Sequence, residues 1–342
     1  MLTIRQDQRK VLDTGRYGPV YAVAFHPDGM HLLGGDRDGI RRWRLADGQE
    51  VGRQTGKAVY AISVSSDGNW IVCGTSYGAN VWDGEPRESI INVEGTNGVA
   101  AVDVSPDSTR FATGTGIPDN KVSIWSITTG QRLVGPLQHA DRVTGIKFSP
   151  DGEHIASASR LHAIRIFNSH NGDELVRINS VVSEWFPITP LAWSSDSERV
   201  FSACRDNKLR AFDSTGLQLT ESLILGDLSR MGDNVYSIAL AVNGKFIATV
   251  AQLSISFLDT STLQQIGPVI EGSNLSEIRS IAISTDSSYL ATGQRDGKIV
   301  IQDLSYILSD SYGPFHVSDF IILPCWISPI PSPMLTNYID AH

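Results

Sequence analysis

Histidine and cysteine, the residues that most often ligate metals or act as nucleophiles, are scattered along this chain. The eight histidines never recur at metal-ligand spacing; they are His26, His31, His139, His154, His162, His170, His316 and His342. The three cysteines, Cys73, Cys204 and Cys325, are odd in number and contain no C-x-x-C pair. A disulfide framework and a zinc site are therefore disfavoured. We expect turn or capping roles for the histidines and no bound metal.

Enzyme motifs are also missing from the sequence. It contains no G-x-S-x-G, no H-E-x-x-H and no phosphate-binding G-x-x-x-x-G-K. The segment Asp36-Arg37-Asp38-Gly39 has the spacing that begins a calcium loop, but it lacks the downstream glutamate. Similar Arg-Asp segments recur at residues 205–206 and 295–296, so a repeated hairpin turn explains all three. We expect no catalysis and no cofactor, although carboxylates that only folding brings together would escape this search.

The charge and hydropathy of the sequence disfavour a nucleic-acid partner, a membrane span and a secretion signal. The formal net charge is −9, which provides no overall field that would attract a nucleic acid. Arg41, Arg42 and Arg44 form a short basic run, which we expect to be the solvated face of a strand. No apolar run approaches the length that spans a membrane, and residues 1–7 lack the apolar core of a signal peptide. We therefore expect an intracellular protein of the cytoplasm or nucleus.

A short turn motif recurs along the chain and organises it. Seven copies centre on Asp28, Asp67, Asp107, Asp151, Asp196, Asn243 and Asp286, which are 39, 40, 44, 45, 47 and 43 residues apart. Each copy follows one apolar run and precedes a second that is rich in small and β-branched residues, which predicts a hairpin of two strands. A third predicted strand ends on an aromatic residue or its substitute, and a fourth, shorter one follows. Four strands every forty-odd residues are typical of the blades of a β-propeller.

These repeats resemble the WD-repeat family over about residues 8 to 304, most clearly at Ser149-Pro150-Asp151-Gly152 and at Trp82-Asp83. The resemblance implies an all-β fold, a seven-bladed β-propeller with four-stranded antiparallel blades. It also implies a hydrogen-bonded tetrad, for which His139 fills the histidine position. Its hairpin aspartate position holds Asp38, Asp119, Asp206 and Asp296, but holds Leu161 in the blade of His139. No blade therefore has a complete tetrad, and we expect a divergent member of the family.

The ends of the repeat array predict how the ring closes. The seventh repeat stops after Gln302-Asp303-Leu304, without a fourth strand. Residues 9–12 lie directly before the first repeat, where fourth strands occur in the other repeats. We predict that this N-terminal strand completes the last blade. The propeller then occupies residues 1–304, and the proline-rich residues 305–342 form a tail that we expect to be poorly ordered.

The resemblance also suggests where a partner would bind. Partners of WD-repeat propellers often dock where the innermost strands begin, around the mouth of the central channel. Aligning the repeats places seven candidate side chains there: Tyr21, Tyr60, Arg142, Thr144, Tyr236, Glu277 and Arg279. Tyrosine and arginine are common hot spots of protein interfaces. An equally open alternative is that the tyrosines plug the channel and stiffen its inner strands.

The function that these observations favour is a non-catalytic scaffold or adaptor, which binds protein or peptide partners within a multi-subunit complex. Two alternatives stay open. One is an enzyme with a site in the central channel, and the other is recognition of lipid headgroups or nucleic acid by a local basic loop. Fold alone does not choose among these.

Overall fold

The fold is taken from a computed structural model of the 342-residue chain. The residues it describes are 9–15, 18–84, 91–94, 98–159, 164–178, 191–203, 208–223, 235–251, 253–271 and 277–308. Within these ranges, 28 strands form seven four-stranded antiparallel sheets. Each sheet is one blade; in six blades the strands run outward from the central channel in chain order, and in the seventh β1 forms the outer strand. The predicted seven-bladed β-propeller is therefore confirmed.

The first three blades contain twelve consecutive strands. Blade 1 holds β2 (Ala22–Phe25), β3 (His31–Gly35), β4 (Gly39–Arg44) and β5 (Glu50–Thr55). Blade 2 holds β6 (Val59–Val64), β7 (Trp70–Thr75), β8 (Gly78–Asp83) and β9 (Ile91–Glu94). Blade 3 holds β10 (Val99–Val104), β11 (Arg110–Thr115), β12 (Lys121–Ser126) and β13 (Arg132–Gln138).

The next three blades repeat this arrangement. Blade 4 holds β14 (Val143–Phe148), β15 (His154–Ser159), β16 (Ile164–Asn168) and β17 (Glu174–Ile178). Blade 5 holds β18 (Leu191–Trp193), β19 (Arg199–Ala203), β20 (Lys208–Asp213) and β21 (Gln218–Leu223). Blade 6 holds β22 (Val235–Leu240), β23 (Phe246–Ala251), β24 (Ser254–Asp259) and β25 (Gln265–Glu271).

Blade 7 joins the two ends of the described chain. It holds β26 (Ile278–Ile283), β27 (Tyr289–Gln294) and β28 (Lys298–Asp303), and its outer strand is β1 (Arg9–Asp13). The β1 strand pairs antiparallel with β28, with Val11 opposite Val300. The predicted closure by the N-terminal strand is therefore confirmed. Closure matters because it covers the blade faces that an open ring would expose.

Apolar packing between blades holds the ring together. Among the described residues, buried hydrophobic side chains group into seven clusters, each lying between two neighbouring blades. The cluster between blades 7 and 1 contains Leu12, Trp43 and Ile299, so the closing strand contributes to it directly. The tryptophans and phenylalanines that end the third strands lie in these clusters. They are core residues and do not form a ligand cage.

Glycine on the second strand allows neighbouring blades to approach closely. A Cβ on Gly74 would lie 2.6 Å from the carbonyl oxygen of Val99, the first residue of the next blade. The same clash would arise between Gly35 and Val59, and between Gly293 and Val20 at the closing interface. Small residues on this strand, a marked feature of the repeat, therefore follow from the distance between blades.

The repeated turn at the end of the innermost strand is built around a serine and an aspartate. In blade 3 the Ser105 hydroxyl donates to Asp107 Oδ1 at 2.5 Å and accepts from the Arg110 amide at 2.9 Å. The same pair of bonds recurs in blades 2, 4, 5 and 7. These bonds satisfy backbone groups that a tight turn would otherwise leave unpaired.

The basic run in blade 1 is less exposed than the sequence suggested. Arg44 is exposed as expected, but Arg41 is buried, contacts Asp36 at 3.2 Å and donates to the carbonyl oxygen of Thr14. Arg42 is half-buried and donates to the carbonyl oxygen of Gly84 at 2.8 Å. The interpretation of the run as one solvated face was therefore wrong for Arg41. Asp36 lies in the hairpin just before β4, but Thr14 follows the closing strand of blade 7, and the local sequence does not reveal that contact.

Ordered packing continues slightly beyond the predicted end of the propeller. A short 3-10 turn at Leu304–Tyr306 follows β28, and Leu304 and Leu308 pack in the cluster between blades 6 and 7. The rest of the predicted tail, residues 309–342, lies outside the described residues. The expectation that it is poorly ordered stays a prediction.

Candidate functional site

The predicted mouth positions coincide with β-bulges at the start of the innermost strands. In blades 2, 3, 4, 6 and 7 the pairing register shifts by one residue at this point. The residues inside the shift are Tyr60, Ala100, Thr144, Tyr236 and Arg279. A bulge leaves its extra residue unpaired and turns that side chain away from the regular alternation of the strand.

Hydrogen bonds between blades support this end of the ring. The hairpin between the second and third strands of one blade accepts bonds from the segment that leads into the next blade. Examples are Val59 N to Asp36 O at 2.9 Å, Gly98 N to Ser76 O at 3.1 Å, and His139 N to Asn120 O at 2.7 Å. The bond from Val20 N to Gln294 O at 2.9 Å does the same between blades 7 and 1. The mouth is therefore framed by hairpins that are bonded to one another through their backbones.

Two predicted tyrosines meet across the boundary between blades 1 and 2. The rings of Tyr21 and Tyr60 have centroids 5.3 Å apart and are tilted by 59°. Arg37 Nε donates to the Tyr21 hydroxyl at 3.1 Å, and the Tyr60 hydroxyl lies 3.2 Å from Ser76 Oγ. Tyr60 is 39% exposed, and Tyr77, the residue after Ser76, is 69% exposed. Tilted aromatic pairs of this kind are stabilising while their exposed faces stay available.

Lys57 completes this surface because the segment that carries it is bonded to the hairpin of Arg37. Gly56 N donates to Asp38 O at 2.8 Å, and the bond from Val59 to Asp36 follows on the other side. We define the tyrosine patch as Tyr21, Arg37, Lys57, Tyr60 and Tyr77. The hydrogen bond to Tyr21 raises the pKa of the exposed Arg37 guanidinium. The patch therefore combines aromatic surface with fixed positive charge.

The other predicted mouth residues occupy different settings. Glu277 forms ion pairs with Arg279 at 2.8 Å and with Arg295 at 3.0 Å. Thr144 is buried and its hydroxyl donates to the carbonyl oxygen of Ala158 at 3.3 Å, so it lies beneath the surface. Arg142 is half-buried, and a Cβ on Gly116 would be 3.1 Å from its Nε. Tyr236 lies in β22, but its side chain is outside the described residues.

Part of the predicted tetrad is present around His139. His139 is buried, its Nε2 lies 3.1 Å from Ser157 Oγ, and its ring meets Phe167 edge-on at 6.1 Å. Its Nδ1 has no hydrogen-bond partner among the described residues. Burial, reinforced by the charge of Arg165, lowers the pKa of His139 to about 4. The imidazole is therefore neutral at physiological pH. Leu161, which holds the aspartate position in this blade, lies outside the described residues.

The predicted hairpin aspartates have different interaction partners from blade to blade. Asp119 lies 3.5 Å from Lys121 Nζ, and Asp296 lies 3.1 Å from Lys298 Nζ. In blade 1 the buried carboxylate is that of Asp36, two residues before Asp38. It accepts the amides of Asp38 and Gly39 at 2.7 and 3.0 Å. Asp206 lies outside the described residues.

Sequence reasoning did not single out Arg37, Lys57 or Tyr77 as site residues. All three lie on the turns that surround the innermost strands, and the repeat alignment selected only positions within those strands or one residue before them. A usable signal was present, since Arg37 lies in the hairpin motif that the sequence repeats. Extending the alignment to both kinds of turn at this end of the blades would have included them.

The residues that the structure describes contain no group of three or more His, Cys, Asp or Glu side chains placed to hold a metal ion. They also contain no helix with the length and apolar character needed to cross a membrane.

Comparison with known proteins gives consistent results. A family model described as WD domain, G-beta repeat matches residues 8–40, 48–83, 87–126, 131–168 and 265–303, more than half of the chain. Autophagy-related protein 16 of Arabidopsis thaliana is 24% identical over 245 residues, covering 70% of this chain and 46% of the relative. Actin-interacting protein 1 of Drosophila melanogaster is 22% identical over 290 residues, covering 82% and 46%.

A third relative, Protein groucho of Drosophila melanogaster, is 23% identical over 296 residues, covering 84% of this chain and 33% of the relative. The chain therefore spans less than half the length of each of these three proteins.

Proposed function

The chain belongs to the WD-repeat family, and from this premise we propose that it is a non-catalytic scaffold whose channel-mouth face binds protein or peptide partners. We further propose that it acts inside the cell, in the cytoplasm or nucleus, as part of a multi-subunit assembly. One similar protein is named for its interaction with actin, which supports a protein partner in this family. The name of that relative does not identify the partner of this chain.

The observation that carries the proposal is the exposed aromatic surface at blades 1 and 2. Tyr60 and Tyr77 keep 39% and 69% of their surface exposed, although both lie on segments fixed by backbone hydrogen bonds. Tyrosines on a rigid support lose little conformational freedom on binding, which favours their use as interface anchors. Tyr21 packs beside Tyr60, with the two ring centroids 5.3 Å apart.

The alternative role of the tyrosines, as plugs that only stiffen the inner strands, predicts a different result from substitution. Plugging residues would lower stability when truncated and would leave binding by the folded protein unchanged. Anchoring residues would lose partners while the melting temperature stayed close to that of the wild type. Binding and stability must therefore be measured on the same variants.

The test is affinity purification from cell extract with wild-type protein and with a Tyr21→Ala/Tyr60→Ala variant. Tyr289→Ala is the matched control, because Tyr289 is 40% exposed but lies at the start of β27, at the opposite end of its blade. We expect the double variant to lose at least one protein that the wild type and the control retain. Retention of every co-purifying protein by the double variant would show that this face is not the binding face.

A further inference from the structure

Positive charges in and beside the tyrosine patch lack acidic partners. Among the described residues, Arg37, Lys57 and Arg142 form no ion pair, and the Arg37 side chain donates to the hydroxyl of Tyr21. Other described cations at this end of the ring form ion pairs within the molecule: Arg41 with Asp36, Lys121 with Asp119, Lys298 with Asp296, and both Arg279 and Arg295 with the single carboxylate of Glu277. Among the described residues, the cations without an ion pair are therefore Arg37 and Lys57 in the tyrosine patch and Arg142 in the segment that leads into blade 4.

Much of the negative charge of the chain lies at the other end of the ring. The turns between first and second strands and the turns between third and fourth strands meet there, as the bond from Leu45 N to Met30 O shows. These turns and the strand ends beside them carry the following aspartates: Asp28, Asp47, Asp67, Asp107, Asp151, Asp173, Asp196, Asp213, Asp259, Asp286 and Asp303. These carboxylates disfavour an acidic partner at that end of the ring, whereas Arg37 and Lys57 favour one at the mouth near blades 1 and 2.

We propose that the tyrosine patch binds an acidic peptide segment, with aspartate or glutamate side chains facing Arg37 and Lys57 and an apolar side chain packed against Tyr60 and Tyr77. This inference rests on the proposed function and adds the chemistry of the partner to it. The peptide would cross the boundary between blades 1 and 2, off the axis of the channel. Arg142 lies farther round the ring, in the segment that leads into blade 4.

A nucleic acid also combines negative charge with rings that can stack on tyrosine. The distribution of cations around the mouth of the protein nevertheless favours a peptide. Affinity for nucleic acid depends on neutralising many phosphates in succession. Beyond Arg37, Lys57 and Arg142, the cations named above at the mouth are already paired, and blade 7 adds the carboxylate of Glu277. A short acidic segment can be satisfied by two or three cations, and an extended polyanion cannot.

The experiment is selection from a phage-displayed library of random twelve-residue peptides on the immobilised full-length chain. We expect the selected peptides to be enriched in aspartate and glutamate around one apolar or aromatic residue. Their dissociation constants should rise with ionic strength, because exposed charge pairs are screened by salt. Peptides selected without acidic enrichment, or tighter binding of an oligothymidine strand than of any peptide, would overturn the proposal.

Three variants locate the binding and separate this proposal from the proposed function. Arg37→Glu and Lys57→Glu should each weaken binding of an acidic peptide about tenfold at low salt, because they replace attraction by repulsion. Arg132→Glu, an equal charge reversal on the outer strand of blade 3, should leave binding unchanged. Thermal melting of each variant confirms that it is folded.

The Tyr21→Ala/Tyr60→Ala variant distinguishes the two ways of failing. If selected peptides lose binding to this variant but are insensitive to Arg37→Glu and Lys57→Glu, the mouth is the binding face and the acidic preference is wrong. If they bind this variant and both charge-reversal variants as tightly as they bind the wild type, both the acidic preference and the proposed binding face are wrong.

Discussion

Leu12 lies in the strand that joins the ends of the ring, so truncating it measures how much the closing interface stabilises the fold. Leu12 is 4% exposed and packs with Trp43 and Ile299 between blades 7 and 1. Replacing a buried leucine by alanine removes apolar contacts and leaves a cavity, at a cost of about 2–5 kcal/mol. For a chain of this length the entropy of unfolding is on the order of 0.7 kcal/mol per degree, so Leu12→Ala should lower the melting temperature by about 3–7 °C.

Val11→Ala is the matched control because Val11 is the neighbouring residue of the same strand and is 48% exposed. Its melting temperature should change by less than about 1 °C, since exposed substitutions seldom cost more than about 0.5 kcal/mol. Both variants are followed by tryptophan fluorescence during heating, which includes the signal of Trp43 in the closing cluster. Equal melting temperatures for Leu12→Ala and Val11→Ala would contradict the closure that β1 provides, as would an unchanged melting curve after deletion of residues 1–14.

Three other predictions concern the packing and charge of the blades. Since burial lowers the pKa of His139 to about 4, the unfolded chain binds a proton below pH 6.5 that the folded chain does not. The free energy of unfolding of the wild type should therefore fall by about 2 kcal/mol more than that of His139→Asn between pH 7 and pH 5. Urea titrations of both proteins at the two pH values measure this difference. An equal loss of stability in the two proteins would refute the prediction. Gly74→Ala should destabilise by about 1–3 kcal/mol because the new Cβ meets Val99, whereas Gly18→Ala, with open space around it, should be neutral in the same denaturation assay. Arg41→Met leaves Asp36 buried without its cation and should lower the free energy of unfolding by about 3 kcal/mol. The control Arg44→Met, at the exposed pair with Asp47, should lower it by less than about 1 kcal/mol. Similar losses of stability in the two variants would show that Arg41 does not stabilise blade 1.

The architecture was predictable because its causes are local and repeated. Turn residues such as Asp107 and Asp151 recur at nearly constant spacing, and the strands between them have the composition of hairpins. The closing strand was predictable for the same reason, since the seventh repeat lacks a fourth strand and residues 9–12 offer one. Repetition provided several copies of each signal, so degraded copies such as Asn243 did not obscure the pattern.

The buried charges and the surface of the site were less predictable because they depend on contacts between distant segments. The partners of Arg41 are the carboxylate of Asp36 and a carbonyl oxygen that follows β1, and only the closed ring brings the latter near. Arg165 shows the same arrangement in blade 4, where it donates to the carbonyl oxygen of Gln138 at the end of blade 3. Each arginine thereby fastens its blade to the end of the preceding one.

The tyrosine patch illustrates the same limit. Alignment identified Tyr21 and Tyr60 as mouth residues, but their contact depends on the distance between blades. The positions of Arg37 and Lys57 depend on the bonds from Gly56 and Val59 to the neighbouring hairpin. Geometry between blades, which has no simple counterpart in one sequence, decides which side chains share a surface.

The pairing of β1 with β28 also has a consequence for synthesis on the ribosome. Of the strands that the structure describes, β1 at residues 9–13 emerges first and its partner β28 at residues 298–303 emerges last. At about 5–20 residues per second, β1 waits on the order of 15–60 seconds for a partner. During that time its backbone groups are open to pairing with other chains, a state that favours aggregation. Chaperones that shield nascent strands should therefore matter more for this protein than for one whose terminal strands pair with sequence neighbours.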